Sequence, residues 1–354
     1  MTLDSEAVPV PVAGTSTGRT LLFRMAVGLG VGALFGLIFL QLIDLRSVAD
    51  RLEHLNLAFA LLCGVAFLSA YAVRALRWRW FLAPDKVSAA RAIRIYFIAT
   101  FLNWALPVQG GELAKSLMLR RSNGIPVNRS LATVTMDKAM DLLPAVVLLI
   151  LVPVAGLRVS GPVWGLLVFA LVVFSMSAFA LAFANWQRDR TLALMSRFLK
   201  AILPARLCER VEPFVVGFVD TLLALFRKPR LLIIAAAYTA VAVALDALFC
   251  YLAFRAVGVS LSFSVVLYGY TFYNLAYILP TPPAHLGSNE LIGLLVFSGM
   301  FGVSRSGVGA MFLFSHPWTG MLMTVTALSC LRAIGLDLRT TLALRSGSEP
   351  TEPE

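Results

Sequence analysis

Residues 21–43, 57–73, 131–153, 163–184, 231–254 and 308–330 are apolar runs that carry few charges. Each is close to the roughly 20 residues a helix needs to cross a bilayer. In hydrocarbon every backbone N–H and C=O must be satisfied internally, so only helices and closed barrels can span it. These runs are continuous rather than alternating, which excludes the barrel. Two further runs are broken. Leu106-Pro107-Val108-Gln109-Gly110-Gly111-Glu112-Leu113 follows a run containing Asn103, where a helix ought to continue. Leu279-Pro280-Thr281-Pro282-Pro283-Ala284-His285-Leu286-Gly287-Ser288-Asn289-Glu290-Leu291 repeats the pattern after a run containing Asn274. Pro removes a backbone donor and Gly loosens the chain, so both segments interrupt a helix. Irregular backbone at membrane depth is tolerated only inside protein or against a wet cavity.

The distribution of Lys and Arg sets the expected topology. The cluster Arg74, Arg77, Arg79, Lys86, Arg91 and Arg94, with Trp78 and Trp80 among its first residues, predicts a basic cytoplasmic loop. The run 95–106 is short for a span, and Lys115, Arg120, Arg121 and Arg129 make its far flank basic too. A re-entrant hairpin over 91–120 that dips in from the cytoplasm removes both difficulties. The flanks of the second break carry little charge beyond Arg305, so that hairpin opens from the outside. Residues 44–56 read as a near-neutral loop. Residues 187–230 form a long basic loop whose apolar residues recur at helical spacing with a break near Pro204. It reads either as amphipathic helices on the inner leaflet or as a helix along the bundle.

The predicted fold is an all-α polytopic integral membrane protein with about six spanning helices and two re-entrant, broken hairpins. The order helix, helix, hairpin, helix occurs twice with opposite orientation, an inverted-topology repeat. Its parts are a disordered cytoplasmic N-terminal tail over 1–18, one membrane domain over 19–335 and a cytoplasmic C-terminal tail over 336–354. The first repeat covers about 21–153 and the second about 163–331. Both termini are cytoplasmic and the location is the cytoplasmic (inner) membrane. Gly32-Ala33-Leu34-Phe35-Gly36 marks close helix packing, with dimerisation as the other reading.

Composition removes several functions. Only 14% of the chain is charged, against about a quarter in soluble domains. The net charge of +11 reads as topology and contact with anionic lipid, and no nucleic-acid partner is expected. The four Cys are scattered and His occurs only at 54, 285 and 316, so no disulfide framework or metal site is expected. No nucleotide-binding or zinc-protease motif occurs, no cofactor is expected and the protein is not read as an enzyme.

Carboxylates inside a bilayer cost about 2.5–3.5 kcal/mol each on insertion scales, which draws attention to Glu112 and Glu290. Each either lines a substrate path or caps the returning half-helix, where the dipole favours an anion. Asp137, Lys138 and Asp141 sit within five residues of an apolar span and read as a paired network facing a cavity, or as a structural ion pair. The expected path residues are Glu112, Glu290, Asp137, Lys138, Asp141, Lys115, Asn103 and Asn274. The expected hairpin breaks are Pro107, Gly110, Gly111, Pro280, Pro282 and Gly287. Arg74, Arg77 and Arg79 read as interfacial anchors or a headgroup-phosphate entrance. Asp246 reads as structural, pairing with Lys138 or a hairpin backbone. His316 reads as a packing residue beside Pro317.

Arg74-Ala-Leu-Arg77-Trp78, Leu106-Pro-Val-Gln-Gly-Gly-Glu112, Asp137-Lys138…Asp141 and Leu279-Pro-Thr-Pro…Leu286-Gly287-Ser-Asn-Glu290 together resemble the flippase-like membrane domain of lysylphosphatidylglycerol synthases. The resemblance runs from about residue 20 to 335. It implies a stand-alone member without the aminoacyl-transferase domain. Such a member moves a polar-headgroup lipid between leaflets: an aminoacyl-phospholipid, glycolipid, polyprenyl-phosphate-linked or hopanoid-type lipid. Its partners are membrane lipids and lipid-synthesis enzymes. Lys115 and His316 stand where relatives are expected to carry Arg and a basic residue, which bears on the headgroup. The other readings are a scaffold for lipid biosynthesis built on the 187–230 loop, and a membrane-embedded lipid-modifying enzyme.

Overall fold

The computed structural model describes residues 18–105, 110–144, 147, 161–276 and 282–334. Both predicted tails fall mainly outside these residues, as do Pro107, Pro280 and most of the predicted span beyond Pro144. Helices dominate, and the described residues contain no strand.

Helix α1 (Gly18–Leu42) meets α2 (Leu45–Glu53) at a 90° bend. Asp44 caps α2 by accepting from the Arg46 N–H at 3.1 Å and from Ser47 Oγ at 2.5 Å. The expected loop at 44–56 is therefore mostly helix, because an Asx cap and the amphipathic stretch after it are enough to start one. Helix α3 (Leu57–Phe81) starts at Asn56, whose side chain accepts from the Phe59 N–H. It runs through Arg74–Trp80, where a basic loop was expected. In that segment Arg74 and Arg77 meet carboxylates from elsewhere in the bundle instead of water.

The first hairpin is α4 (Ala89–Ala105) and α5 (Gly111–Asn123), the latter ended by Gly124 at φ 67°. Helix α6 (Val127–Met140) follows Pro126. Then come α7 (Gly161–Trp186), α8 (Arg188–Ile202) and α9 (Ala205–Phe226), with Pro204 between the last two. The predicted amphipathic pair is therefore present. Helix α9 packs along α6 and against α8, which agrees with the bundle reading for α9.

Helix α10 (Pro229–Ala256) has Pro at its first position, where no donor is lost. The second hairpin is α11 (Phe263–Ala276), a 3-10 turn (Pro283–His285) and α12 (Ser288–Gly293), which runs on as π-helix over Leu294–Met300. Helix α13 (Arg305–Ala333) closes the described chain. Among the described residues, α3 and α10 are long and apolar enough to cross a membrane, and α1 with α2 makes a third if the bent pair counts as one span. The protein is a multi-pass helical membrane protein.

Packing interlocks the two halves. Helices α3 and α10 lie along each other. The first hairpin packs through α4 against α13, and the second packs through its turn and α12 against α1. The core follows the same division. Trp78, Tyr96, Ile98, Leu119 and Val134 are buried around the first hairpin. Phe39, Phe254, Phe272, Phe297 and Phe312 are buried around the second. Gly287, at φ +71°, sits in the small-residue groove of α1. A Cβ there would lie 2.3 Å from the Gly32 carbonyl and 2.4 Å from the Gly36 nitrogen. The small-xxx-small motif thus seats a segment of the same chain, as the close-packing reading expected.

Candidate functional site

Between the hairpins lies a cavity of about 580 Å³. Three groups of polar side chains meet at it.

The first group joins α3, α6 and α10. The Arg77 side chain is 0% exposed and fully engaged. Its Nε donates to Asp137 Oδ1 at 2.7 Å and its Nη1 to Thr239 Oγ1 at 2.8 Å. Its Nη2 donates to Asp141 Oδ1 at 2.7 Å and to the Asp137 carbonyl at 3.0 Å. Arg74, one turn earlier, forks onto both carboxylate oxygens of Asp246 and lies 3.9 Å from Asp141. Two guanidinium groups therefore share three aspartates. Bidentate geometry is what Arg offers and Lys does not.

This arrangement corrects three expectations. Arg77 is not at an interface or an entrance; it is buried because two acids of α6 offset the cost of taking its charge out of water. Arg79 does not present its Nε to a phosphate either, since that atom donates to the Val87 carbonyl at 2.7 Å. Asp246 pairs with Arg74, not with Lys138 or a hairpin backbone.

The second group sits at the first break. Glu112 Oε1 accepts from Asn103 Nδ2 at 2.9 Å and lies 3.2 Å from Lys138 Nζ. Its Oε2 lies 3.0 Å from Lys115 Nζ. Asn103 Oδ1 in turn accepts from the Gly111 N–H at 2.7 Å, fastening α4 to the start of α5. A Cβ on Gly111 would lie 2.0 Å from the Ala99 carbonyl, so only glycine permits this approach. Gly110 is the N-cap residue of α5 and makes no side-chain cap. Lys115 is buried with its Nζ 3.8 Å from the Tyr96 ring centroid and 5.4 Å from that of Trp78, a cation–π cage behind the glutamate.

The third group sits at the second break. His316 Nδ1 bonds Glu290 Oε1, and His316 Nε2 bonds the Ala284 carbonyl at 2.8 Å. Ala284 and His285 both have left-handed backbone, at φ 52° and 55°. Pro282 opens the 3-10 turn, Leu286 ends it, and Gly287 starts α12 against α1. His316 is therefore a partner of the second glutamate, which its place beside Pro317 did not suggest.

Arg74, Arg77, Lys138, Glu112, Asp141 and Asp246 line the cavity, with Asn103, Asn274 and His316. Glu290, Lys115 and Asp137 do not line it; they are buried, and each pairs with a residue that does. Lys138 is the most open of the charges at 52% side-chain exposure, followed by Asp141 at 33%. Among the described residues the wall carries three cations and three carboxylates, so it is balanced, where the expected path residues held four acids against two bases.

Glu112 and Lys138 are 26 residues apart, and so are Glu290 and His316. In each half the glutamate after the break meets a basic residue on the helix that follows. Among the described residues no group of His, Cys, Asp and Glu has the arrangement of a metal site.

The family model for the lysylphosphatidylglycerol synthase TM region matches residues 25–327. A UPF0104 membrane protein of Methanothermobacter thermautotrophicus is 29% identical over 252 residues, covering 66% of this chain and 70% of the relative. A second UPF0104 membrane protein, from Pyrococcus horikoshii, is 24% identical over 284 residues, covering 75% of this chain and 84% of the relative.

Proposed function

We propose, starting from the fact that this chain belongs to the lysylphosphatidylglycerol synthase transmembrane-region family, that it moves a polar-headgroup lipid between the leaflets of the cytoplasmic membrane. The observation that carries this reading is the cavity itself. It is a chamber of mixed polarity in a membrane protein, walled by charged side chains of α3, α10 and the end of α6 and by Asn103, Glu112, Asn274 and Asn289 from the two broken hairpins. About 580 Å³ holds a headgroup and leaves the acyl chains in lipid. A wall with equal numbers of cations and carboxylates suits a zwitterionic or hydroxyl-rich headgroup, whose charges or hydroxyls exchange partners with the wall without stranding either sign.

An inverted repeat gives such a chamber two faces. Its support is the shared 26-residue spacing, the pairing of α3 with α10, and the seating of each hairpin on a helix of the other half. Rocking of one half against the other then opens the chamber to alternate leaflets. The scaffold reading needs a free 187–230 segment, whereas α9 is packed on α6.

The test uses proteoliposomes containing a fluorescent phospholipid analogue and a membrane-impermeant quencher. The wild-type protein exposes inner-leaflet analogue to the quencher. Glu112→Gln leaves Lys115 and Lys138 without their carboxylate and stops that movement while the protein still elutes as one species. Undiminished movement in both Glu112→Gln and Glu290→Gln would overturn the mechanism.

A further inference from the structure

The Glu290–His316 pair has a proton count that its geometry fixes. His316 Nε2 faces the Ala284 carbonyl, which can only accept, so Nε2 carries a hydrogen. Nδ1 and Glu290 Oε1 are in hydrogen-bond contact, so one proton lies between them. That proton belongs either to an imidazolium facing a carboxylate or to a carboxylic acid facing a neutral imidazole. Remove it, and two lone pairs face each other in a site where the histidine is 8% and the glutamate 9% exposed. The contact between α12 and α13 then opens.

Two more observations point the same way. Glu290 Oε2 and Asn289 Oδ1 are buried acceptors without a hydrogen-bond partner among the described residues, and Asn289 faces the cavity. The turn tied down by His316 Nε2 also holds two non-glycine residues in left-handed backbone. Such strain persists only where surrounding contacts impose it, and it collects at switch regions. The histidine bond to Ala284 is one of those contacts.

Among the described residues, His285 is an ionisable neighbour that acts on both members of the pair. Helix α1 presents Gly32, Phe35 and Gly36 to the turn, none of them ionisable. The last two turns of α4 and the π-helical stretch contain no ionisable group. Helix α11 brings Tyr270 and Tyr273 to the cavity, the turn brings His285, and α13 brings Ser315 beside His316. Across the chamber, Glu112 is matched by Lys138 and Asp246 by Arg74.

We infer that Glu290 and His316 form a proton-binding site that latches the second hairpin to α13, and that protons taken up or released there drive the lipid step. The proton passes between cavity water and the Nδ1–Oε1 contact, with no other bond made or broken. The first half holds the equivalent position with Glu112 and a lysine, so the two breaks differ in kind: one is a fixed ion pair and the other a proton latch. The coupling part of this inference rests on the proposed lipid movement; the proton site does not.

The experiment separates the two. Proteoliposomes of the full chain, adsorbed on a supported membrane electrode, receive a pH jump at constant Na⁺ and then a Na⁺ jump at constant pH. The wild-type protein gives a charge displacement on the pH jump. That signal is lost in His316→Gln and in Glu290→Gln and kept in Glu112→Gln. A displacement on the Na⁺ jump alone, or an unchanged pH signal in His316→Gln, overturns the proton site. In the fluorescent-lipid assay a pH gradient accelerates wild-type movement and leaves His316→Gln unaffected. Wild-type movement indifferent to the gradient overturns the coupling while lipid transport stands. A pH signal with no lipid movement supports the proton site and refutes the transport reading.

Discussion

Arg74 and Asp246 join α3 to α10 at the centre of the molecule, and their substitution tests whether the charged network holds the halves together. The side chains are 17% and 6% exposed and meet through both carboxylate oxygens. Asp246→Leu leaves a largely covered guanidinium with Asp141, at 3.9 Å from Nε, and the Tyr71 ring, at 5.6 Å. Arg74→Met leaves a nearly buried carboxylate. Stranding one member of a buried pair costs about 3–5 kcal/mol, while replacing both by apolar side chains is often neutral. The remaining Asp141 contact places Asp246→Leu at the lower end of that range. The double substitution Arg74→Met/Asp246→Leu therefore recovers most of what either single change loses. With about 3 kcal/mol lost in each single change and about 1 kcal/mol left in the double, the expected coupling energy is about 5 kcal/mol, roughly four thousandfold in the unfolding constant. The assay is equilibrium unfolding in mixed micelles with increasing denaturing detergent. An ordinary hydrogen bond between membrane helices contributes only about 0.6 kcal/mol. A measured coupling near that value, or additive single changes, would mean that the pair is hydrated and that the network does not fasten the halves.

Two further outcomes are open to direct measurement. Gly111→Ala places a methyl carbon 2.0 Å from the Ala99 carbonyl, so α4 and α5 must part. The Asn103–Glu112 bond breaks with them, and cysteine cross-linking across the hairpin falls although the protein still inserts. Glu212 ties α9 to α8 through the Ser196 hydroxyl and Lys200, whose hydrogen bonds hold its carboxyl below the ordinary glutamate value. A depressed carboxyl stabilises above its unfolded value and loses that contribution as pH falls through the folded one. Energy transfer between dyes at the exposed positions Leu194 and Leu207 therefore changes on acidification in the wild type and stays flat in Glu212→Gln.

The parts of this architecture that were readable in the sequence are those set by neighbours along the chain. Pro and Gly mark both breaks, the 3.6-residue recurrence over 192–226 marks α8 and α9, and Gly32 with Gly36 marks a tight contact. Arg77 was misread for the opposite reason. Beside Trp78 and Trp80 it has the local look of an interfacial anchor, and its acids lie about 60 residues away while Thr239 lies 162 away. The same holds for Arg74, whose main partner is 172 residues away. His316 was misread because a proline next to it gave a sufficient local reason for its presence. The repeated 26-residue spacing was present in the sequence, but it acquires meaning only after Glu112 is seen to meet Lys138.

The groove of α1 that receives Gly287 carries a consequence for biogenesis. Helix α1 leaves the ribosome well before its partner: the segment that fills it is made about 250 residues later. The reverse holds at the other end, where Trp104 of α4 waits for Gly320 of α13. Neither half has its full set of neighbours until α13 has been made, so an inserted first half is an open half-shell in the lipid. Two separately expressed halves, cut in the 187–230 segment, would have to find each other to survive quality control. Their mutual rescue on co-expression, and the degradation of each alone, is how a clasp closed from both ends would show itself in a cell.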